Sequence, residues 1–167
     1  MRISPDAGFE AKRYLFAVNI GELCSRDVYI VTPAEPLADA VAEIQKRHVG
    51  ALVVIERKAD QVRPIGVVTD RDAIRAQVVQ GKGFRRLTVT DAMTAHPLTL
   101  AESCGIPEAI GQMSTRGVRR APVVNESGDL VGIVSFDDLL PVVSQQLSAL
   151  AKLIGDQARR EGVGDRE

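Results

Sequence analysis

The segment GVVTDRD at residues 66–72 decides the fold, because the same pattern returns as GIVSFDD at residues 132–138. In each copy an apolar strand runs directly into hydroxyl and carboxylate side chains, which are the residue types that mark the start of a helix. A pattern that occurs twice in this form predicts two copies of one small structural unit.

Comparison of the chain with itself extends the repeat upstream at an offset of 69 residues. Apolar residues at helical spacing begin at Leu37 in the first copy and at Ile106 in the second, which predicts two matched amphipathic helices. Apolar strands follow at 51–55 and 120–124, and a polar turn follows each strand. Each unit therefore reads strand, helix, strand, turn, strand, helix.

Units of this size are marginally stable alone, so we expect the two copies to pack together as one module. The predicted division is an N-terminal extension at 1–18, a first unit at 19–80, a linker at 81–88, a second unit at 89–145, and a C-terminal helix with a frayed polar tail at 146–167. The C-terminal helix carries an apolar seam from Leu140 to Ile154, which could continue the core or contact a partner chain.

The composition is that of a globular protein without an overall charge field. Hydrophobic residues make up 45% of the chain, charged residues make up 26%, and the net charge is -1. Nucleic acid is therefore not expected as a partner. No apolar run approaches the roughly 20 residues of a membrane span, and the first residues lack the apolar core of a signal peptide. We expect a cytoplasmic protein with no membrane partner.

Neither catalysis nor metal binding is indicated by the residue types present. The two cysteines, Cys24 and Cys104, are too few for a disulfide framework and have no metal-ligand spacing. The two histidines, His48 and His96, do not combine with a nucleophile or a second base into a catalytic set. We therefore predict no catalytic residue and no metal site.

The doubled motif is compatible with an anion site and with plain helix capping. Free N–H groups at a helix start attract anions, so the Thr69 hydroxyl could bind a phosphate while Asp72 accepts ribose hydroxyls. The same side chains stabilise a helix start by about 0.5–2 kcal/mol without any ligand. Both interpretations stay open for Thr69 and Asp72, and equally for Ser135 and Asp138.

Two adjacent arginines make the two copies chemically unequal. Arg119 and Arg120 precede an apolar strand and are either phosphate ligands or solvated surface residues. The equivalent residues of the first copy are Gly50 and Ala51, which offer no cation. This difference predicts two unequal sites.

The two units resemble cystathionine β-synthase (CBS) domains, and the pair resembles a CBS pair, or Bateman module, of a stand-alone signalling protein of bacterial type. The resemblance covers about residues 19–145 and rests on the doubled Gly-hydrophobic-x-Thr/Ser-x-x-Asp motif, supported by similar lead-ins at 20–24 and 89–93. It implies an α+β fold of tandem β-α-β-β-α units that pack by pseudo-twofold symmetry. It also implies two clefts for adenosine-containing ligands.

The resemblance assigns nucleotide-binding residues to both clefts. Those implied for the better equipped cleft are Thr69, Asp72, Arg119 and Arg120, with Val67 and Arg71 as further candidates. Those implied for the other cleft are Ser135 and Asp138, with Gly50, Ala51 and Thr32 on the opposite wall.

The expected function is that of a regulatory, non-catalytic module that binds AMP, ATP, NAD or a related adenosyl ligand. Ligand binding would change its packing against a downstream protein, which the sequence does not identify, or against a second copy in a homodimer. No catalytic cofactor is expected. One alternative is a structural dimerisation domain with vestigial clefts. Another is a nucleotide-acting enzyme that uses Asp70, Asp72 or Asp137.

Overall fold

The doubled sequence pattern folds into two small sheets, each covered by helices, in a computed structural model of the chain. The structure describes the backbone of residues 19–163 and the side chains of residues 19–155. The predicted N-terminal extension, residues 1–18, lies outside the described residues.

The first unit contains α1 (Ile20–Leu23), β1 (Ile30–Val31), α2 (Leu37–Arg47), β2 (Leu52–Lys58), β3 (Gln61–Val68) and α3 (Asp70–Gln80). A short 3-10 turn, Phe84–Arg86, connects the units. The second unit contains α4 (Val89–Ala92), β4 (Thr94–Ala95), β5 (Leu100–Ala101), α5 (Ile106–Arg116), β6 (Arg120–Val124), β7 (Leu130–Ser135) and α6 (Phe136–Val163).

The two sheets share one plan. The first has the order β1-β2-β3-β4 and the second has the order β5-β6-β7. In each sheet the short first strand lies parallel to the second, and the second pairs antiparallel with the third. The parallel pairs are joined through α2 and α5, which matches the crossover that parallel strands require.

The helices α2 and α5 bury the faces that the apolar spacing predicts. Leu37, Ala40 and Ile44 of α2 lie in the core of the first unit. The equivalent residues of α5, Ile106, Ala109 and Met113, lie in the core of the second unit. Each helix ends in a left-handed residue, with φ 53° at His48 and φ 63° at Gly117. His48 is therefore a helix C-cap.

The lead-in of each unit packs into the other unit. The backbone N–H of Ile20 donates to Cys104 O at 2.9 Å, and the equivalent N–H of Val89 donates to Glu35 O at 3.0 Å. The strand β4 pairs with β3 of the first sheet, and Ser25 forms the corresponding bridge to Ile133 of β7. This reciprocal exchange produces the pseudo-twofold symmetry and joins two sheets into one module.

Because of the exchange, each hydrophobic core contains residues from both sides of the predicted boundary. The segment 81–88, predicted as a flexible linker, contributes Leu87, which is 1% exposed in the core of the first unit. Conversely, Ile20 and Cys24 belong to the predicted first unit in sequence and are buried in the core of the second. The repeat describes the order of elements along the chain, whereas the packing depends on contacts between lead-in and opposite sheet.

Three helix ends differ from their predicted positions. The sequence predicts helical segments at Ala73 to Gln80 and from Leu139 onward. The helices begin earlier, α3 at Asp70 and α6 at Phe136, because each motif hydroxyl is the N-cap or lies directly before the helix. The polar residues from Asp156 onward predict a frayed tail, whereas α6 stays helical to Val163. No helix among residues 19–163 combines the length and apolar character needed to cross a membrane.

Candidate functional site

Two clefts lie between the units, and each takes residues from both. Cleft A has a volume of about 360 Å³ and lies between the end of β3 and the start of β6. Its principal lining residues are Val67, Thr69, Asp72, Arg116, Arg119 and Arg120. Pockets of roughly 300–1,000 Å³ are the size that small ligands use.

Cleft B is the pseudo-symmetric counterpart of cleft A and has a volume of about 390 Å³. It lies between the end of β7 and the start of β2. Its principal lining residues are Tyr29, His48, Gly50, Arg120, Ser135 and Asp138. Ala51 and Arg120 line both clefts and so form the wall between them.

The hydroxyl and the carboxylate in cleft A form a capping box at the start of α3. The Thr69 hydroxyl donates to Asp72 Oδ2 at 2.6 Å, and the Thr69 N–H donates to the same oxygen at 3.1 Å. In return the Asp72 N–H donates to Thr69 Oγ1 at 3.2 Å. Within the described residues the second carboxylate oxygen, Oδ1, has no hydrogen-bond donor and remains available to a ligand.

Cleft B repeats this arrangement at the start of α6. The Ser135 hydroxyl and the Ser135 N–H both donate to Asp138 Oδ2, each at 2.7 Å. Both copies of the motif therefore hold their carboxylates in a fixed orientation at a helix start. The capping role that the sequence leaves open is complete in the first copy, where Thr69 also accepts from the Asp72 N–H, and in the second copy Ser135 donates to the Asp138 carboxylate. Neither arrangement consumes the whole carboxylate.

A third capping box shows that the motif alone does not identify a cleft. Thr88 and Asp91 form the same hydrogen bonds at the start of α4, where the Thr88 N–H donates to Asp91 Oδ2 at 2.8 Å. The Thr88 N–H, followed by the Gln80 amide, lowers the pKa of Asp91 below its usual range. This box lines neither cleft A nor cleft B. It is the facing residues that distinguish Asp72 from Asp91.

Three arginines of the second unit line cleft A on the wall opposite Asp72. Arg116 lies in the last turn of α5, and Arg119 and Arg120 lie at the start of β6. Arg119 makes a long contact of 3.9 Å with Asp137 in an exposed position, and such exposed pairs hold a side chain weakly. Cleft A is therefore a local cationic site in a nearly neutral chain.

Cleft B has a different charge pattern from cleft A. The first unit, which forms the wall opposite Ser135, supplies fewer unpaired cations to cleft B than the second unit supplies to cleft A. Arg47, which is equivalent to Arg116, instead pairs with Glu43 at 3.2 Å and stacks on Tyr29 at 5.1 Å. The guanidinium that reaches cleft B comes from Arg120, which lies against Gly50. Gly50 and Ala51 themselves offer no cation, but Arg120 of the second unit, whose backbone pairs with Ser135, brings a guanidinium to cleft B.

The structure brings most of the predicted binding residues together and leaves two outside. Gly50 and Ala51 line cleft B, and Val67 lines cleft A. Thr32 lines neither cleft, because its N–H and hydroxyl both donate to Glu35 Oε1, at 2.7 and 2.9 Å, in the turn before α2. Arg71 is exposed on the first turn of α3 and lines neither cleft.

Sequence reasoning missed several residues that line the clefts, among them Arg116 and Tyr29. Arg116 resembles an ordinary basic residue at a helix C-terminus, where it would favour the helix dipole. Its position in the sequence, one turn before the Arg119-Arg120 pair, is the observation that could have assigned it to the same side of cleft A. Tyr29 of cleft B is equivalent to Leu98 of cleft A at the offset of 69, so the repeat could have assigned both residues to the clefts.

A third cavity, of about 570 Å³, has the opposite charge. Glu22, Glu102 and Glu126 line it, and Arg26 pairs with Glu102 at 3.6 Å. An acidic cavity repels an anionic ligand, so it does not compete with the two clefts. Among the described residues, no group of three or more His, Cys, Asp or Glu side chains is arranged to hold a metal ion.

The two thiols are buried and remain protonated at neutral pH. Burial, followed by the nearby Glu108 carboxylate, raises the pKa of Cys104 to about 11. Burial also raises the pKa of Cys24, against the opposing effect of Arg26. Because the thiolate is the reactive form, neither cysteine has the environment of a nucleophile.

Comparison with known proteins identifies the same repeat. The model of the CBS domain matches residues 20–79 and 89–145. An uncharacterized protein of Methanopyrus kandleri is 32% identical over 126 residues, which cover 75% of this chain and 63% of that protein. The chain therefore spans less than two thirds of the length of this relative.

Two solved structures share the fold. CBSX2 of Arabidopsis thaliana, solved in complex with AMP, has a TM-score of 0.64 at 23% identity, covering 77% of this chain and 98% of that one. The hexameric CBS-CP12 protein from bloom-forming cyanobacteria has a TM-score of 0.63 at 24% identity, covering 73% of this chain and 66% of that one.

Proposed function

Since the chain belongs to the CBS-domain family, we propose that it is a regulatory module that binds an adenosyl nucleotide, such as AMP, ATP or NAD, and catalyses no reaction. One observation carries this proposal. In cleft A, the oriented carboxylate of Asp72 on one unit lies across from a wall that contains Arg116, Arg119 and Arg120 of the other unit. A ribose and a phosphate joined in one ligand would satisfy both walls.

Each part of a nucleotide has a matching group in cleft A. The free Oδ1 of Asp72 accepts hydrogen bonds from ribose hydroxyls, as acidic residues do in dinucleotide sites. The guanidinium groups bind phosphate through charge-assisted hydrogen bonds. Val67 and Leu98 offer apolar walls for the purine. The AMP complex of CBSX2, a protein of the same fold, supports this assignment.

Calorimetric titration with AMP, ATP, NAD and S-adenosylmethionine tests the proposal. We expect at least one of them to bind, and we expect Asp72→Ala to weaken binding to cleft A by about tenfold or more, because a charge-assisted hydrogen bond is lost. Asp91→Ala is the matched control, since it removes an equivalent capping box away from the clefts. Binding should survive in this variant. A folded protein that binds none of the four ligands would overturn the proposal.

We also propose that the module is a homodimer, as a second copy would cover apolar surface that the described chain leaves open. Leu147, Leu150 and Ile154 of α6 are 62%, 50% and 70% exposed, and Val78 and Val79 of α3 are 76% and 77% exposed. α3 and α6 are equivalent helices of the two units, so both units present an apolar face. If the clefts bind no nucleotide, dimerisation is the function that this surface favours.

A further inference from the structure

The side chain of Arg120 lies in the wall between the two clefts. The wall that separates cleft A from cleft B contains Ala51 and Arg120, which the 69-residue offset makes equivalent. One of these two positions has a methyl group and the other has a guanidinium. We infer that the two clefts compete for the Arg120 guanidinium, so that an anionic ligand in one cleft weakens anion binding in the other.

The guanidinium lies on the cleft B side of this wall. A Cβ atom placed on Gly50 would lie 2.7 Å from Cζ of Arg120, which is closer than carbon atoms approach. Of the two clefts, Gly50 lines only cleft B. The absence of a side chain at residue 50 is therefore what gives Arg120 its place in cleft B.

Nothing in the described part of the chain fixes Arg120 in that place. No carboxylate among residues 19–155 forms an ion pair with it, whereas Arg47 is held by Glu43 and by Tyr29. Its backbone is held in β6, opposite Ser135 of β7. A long side chain on a fixed backbone can direct its charge into either cleft, and a bound phosphate in one cleft would retain it there.

The two clefts lose different fractions of their positive charge when the Arg120 side chain is directed away from them. Cleft A keeps Arg116 and Arg119. Cleft B keeps the carboxylates of Asp27 and Asp138, and among its described lining residues Arg120 is the one guanidinium. Two carboxylates without that cation repel a phosphate, so cleft B depends on Arg120 more strongly than cleft A.

The inference rests on the proposed nucleotide binding, and Gly50→Ala tests it directly. The new methyl group excludes the guanidinium from its place in cleft B and leaves cleft A accessible to it. Each cleft is titrated separately with ATP, cleft A in an Asp138→Ala background and cleft B in an Asp72→Ala background. We expect Gly50→Ala to strengthen binding to cleft A by about threefold to tenfold and to weaken binding to cleft B by about tenfold.

Opposite effects on the two clefts are the signature of a shared cation, since a folding defect would weaken both. Gly83→Ala is the matched control, because a Cβ at residue 83 meets no atom within 4 Å, and it should change neither affinity. In the unmodified protein, which has both Asp72 and Asp138, ATP bound in one cleft should weaken the binding of a second ATP to the other cleft. The comparison is with the affinity of that other cleft measured in its single-cleft background. Arg120→Ala should remove this difference.

The possible failures are distinguishable. If ATP binds but Gly50→Ala changes both clefts in the same direction or changes neither, the competition is overturned and the nucleotide-binding proposal stands. Independent binding of ATP to the two clefts of the unmodified protein would also overturn the competition. If no adenosyl ligand binds either cleft, both the proposed function and the competition are wrong.

Discussion

At the scale of single residues, the glycine that opens each copy of the repeated motif is explained by a neighbour from the other unit. A Cβ on Gly132 would lie 2.5 Å from Sγ of Cys24, and a Cβ on Gly66 would lie 2.7 Å from Sδ of Met93. Cys24 and Met93 are equivalent residues of the two lead-ins. The motif therefore begins with glycine because the exchanged lead-in packs directly on the strand.

Replacement of this glycine should destabilise the module without touching either cleft. We expect Gly132→Ala to lower the free energy of unfolding by about 1–3 kcal/mol, the usual cost of overpacking a core. Urea denaturation followed by circular dichroism measures the change. Gly111→Ala is the control, because this residue lies inside α5 with open space around it. It should stabilise by about 0.5–1 kcal/mol, and equal effects of the two variants would contradict the packing argument.

The buried thiol of Cys104 gives stability a dependence on pH. Burial raises its pKa from 9.0 to about 11, so in this window the unfolded chain loses the thiol proton while the folded protein keeps it. Stability should therefore fall as the pH rises from 9 towards 11. Cys104→Ala should show a smaller fall than the unmodified protein when urea midpoints at neutral pH and near the upper end of this window are compared. If the urea midpoints of the two proteins fall by the same amount between the two pH values, the Cys104 thiol is excluded as the cause.

At the scale of helices and strands, apolar spacing predicts α2 and α5 because each buries one continuous stripe. It does not predict the exchange of β4 and Ser25 between the sheets, since two-residue strands leave no periodic pattern. The capping boxes are predictable as helix starts. They are not predictable as sites, because Thr88 and Asp91 repeat the same box outside the two clefts.

The exposed stripe of α6 should determine the oligomeric state. Light scattering of the unmodified protein should give about twice its mass of 18.0 kDa. Leu147→Glu combined with Leu150→Glu should give a folded monomer, because two charges would be buried in the contact between copies. Ser148→Glu adds a charge on the same helix outside the apolar stripe and should leave the dimer intact. A strict monomer without any substitution would contradict the proposed homodimer.

At the scale of the whole molecule, the repeat predicts two units that pack together and differ in charge, and the resemblance to CBS pairs implies their pseudo-twofold symmetry and the two clefts between them. Cleft A, with Asp72 opposite Arg119, follows from that resemblance. The place of Arg120 in cleft B does not, because a repeat compares equivalent positions and contains no information about how far a side chain reaches across the symmetry axis. That reach depends on Gly50, whose missing side chain is significant only in three dimensions.

The exchanged lead-ins also imply that the halves remain associated after the chain between them is cut. Lys82 lies in an exposed loop between two glycines. Cleavage there would separate Ile20 from the second unit's core, in which it is buried, and Leu87 and Val89 from the first unit's core, in which they are buried. Each fragment would retain the segment that completes its partner. The nicked protein should therefore elute as a single species and fall apart only in denaturant, while either fragment produced alone should be unfolded. The covalent connection keeps the halves at equal abundance, and their interlocked cores keep them together.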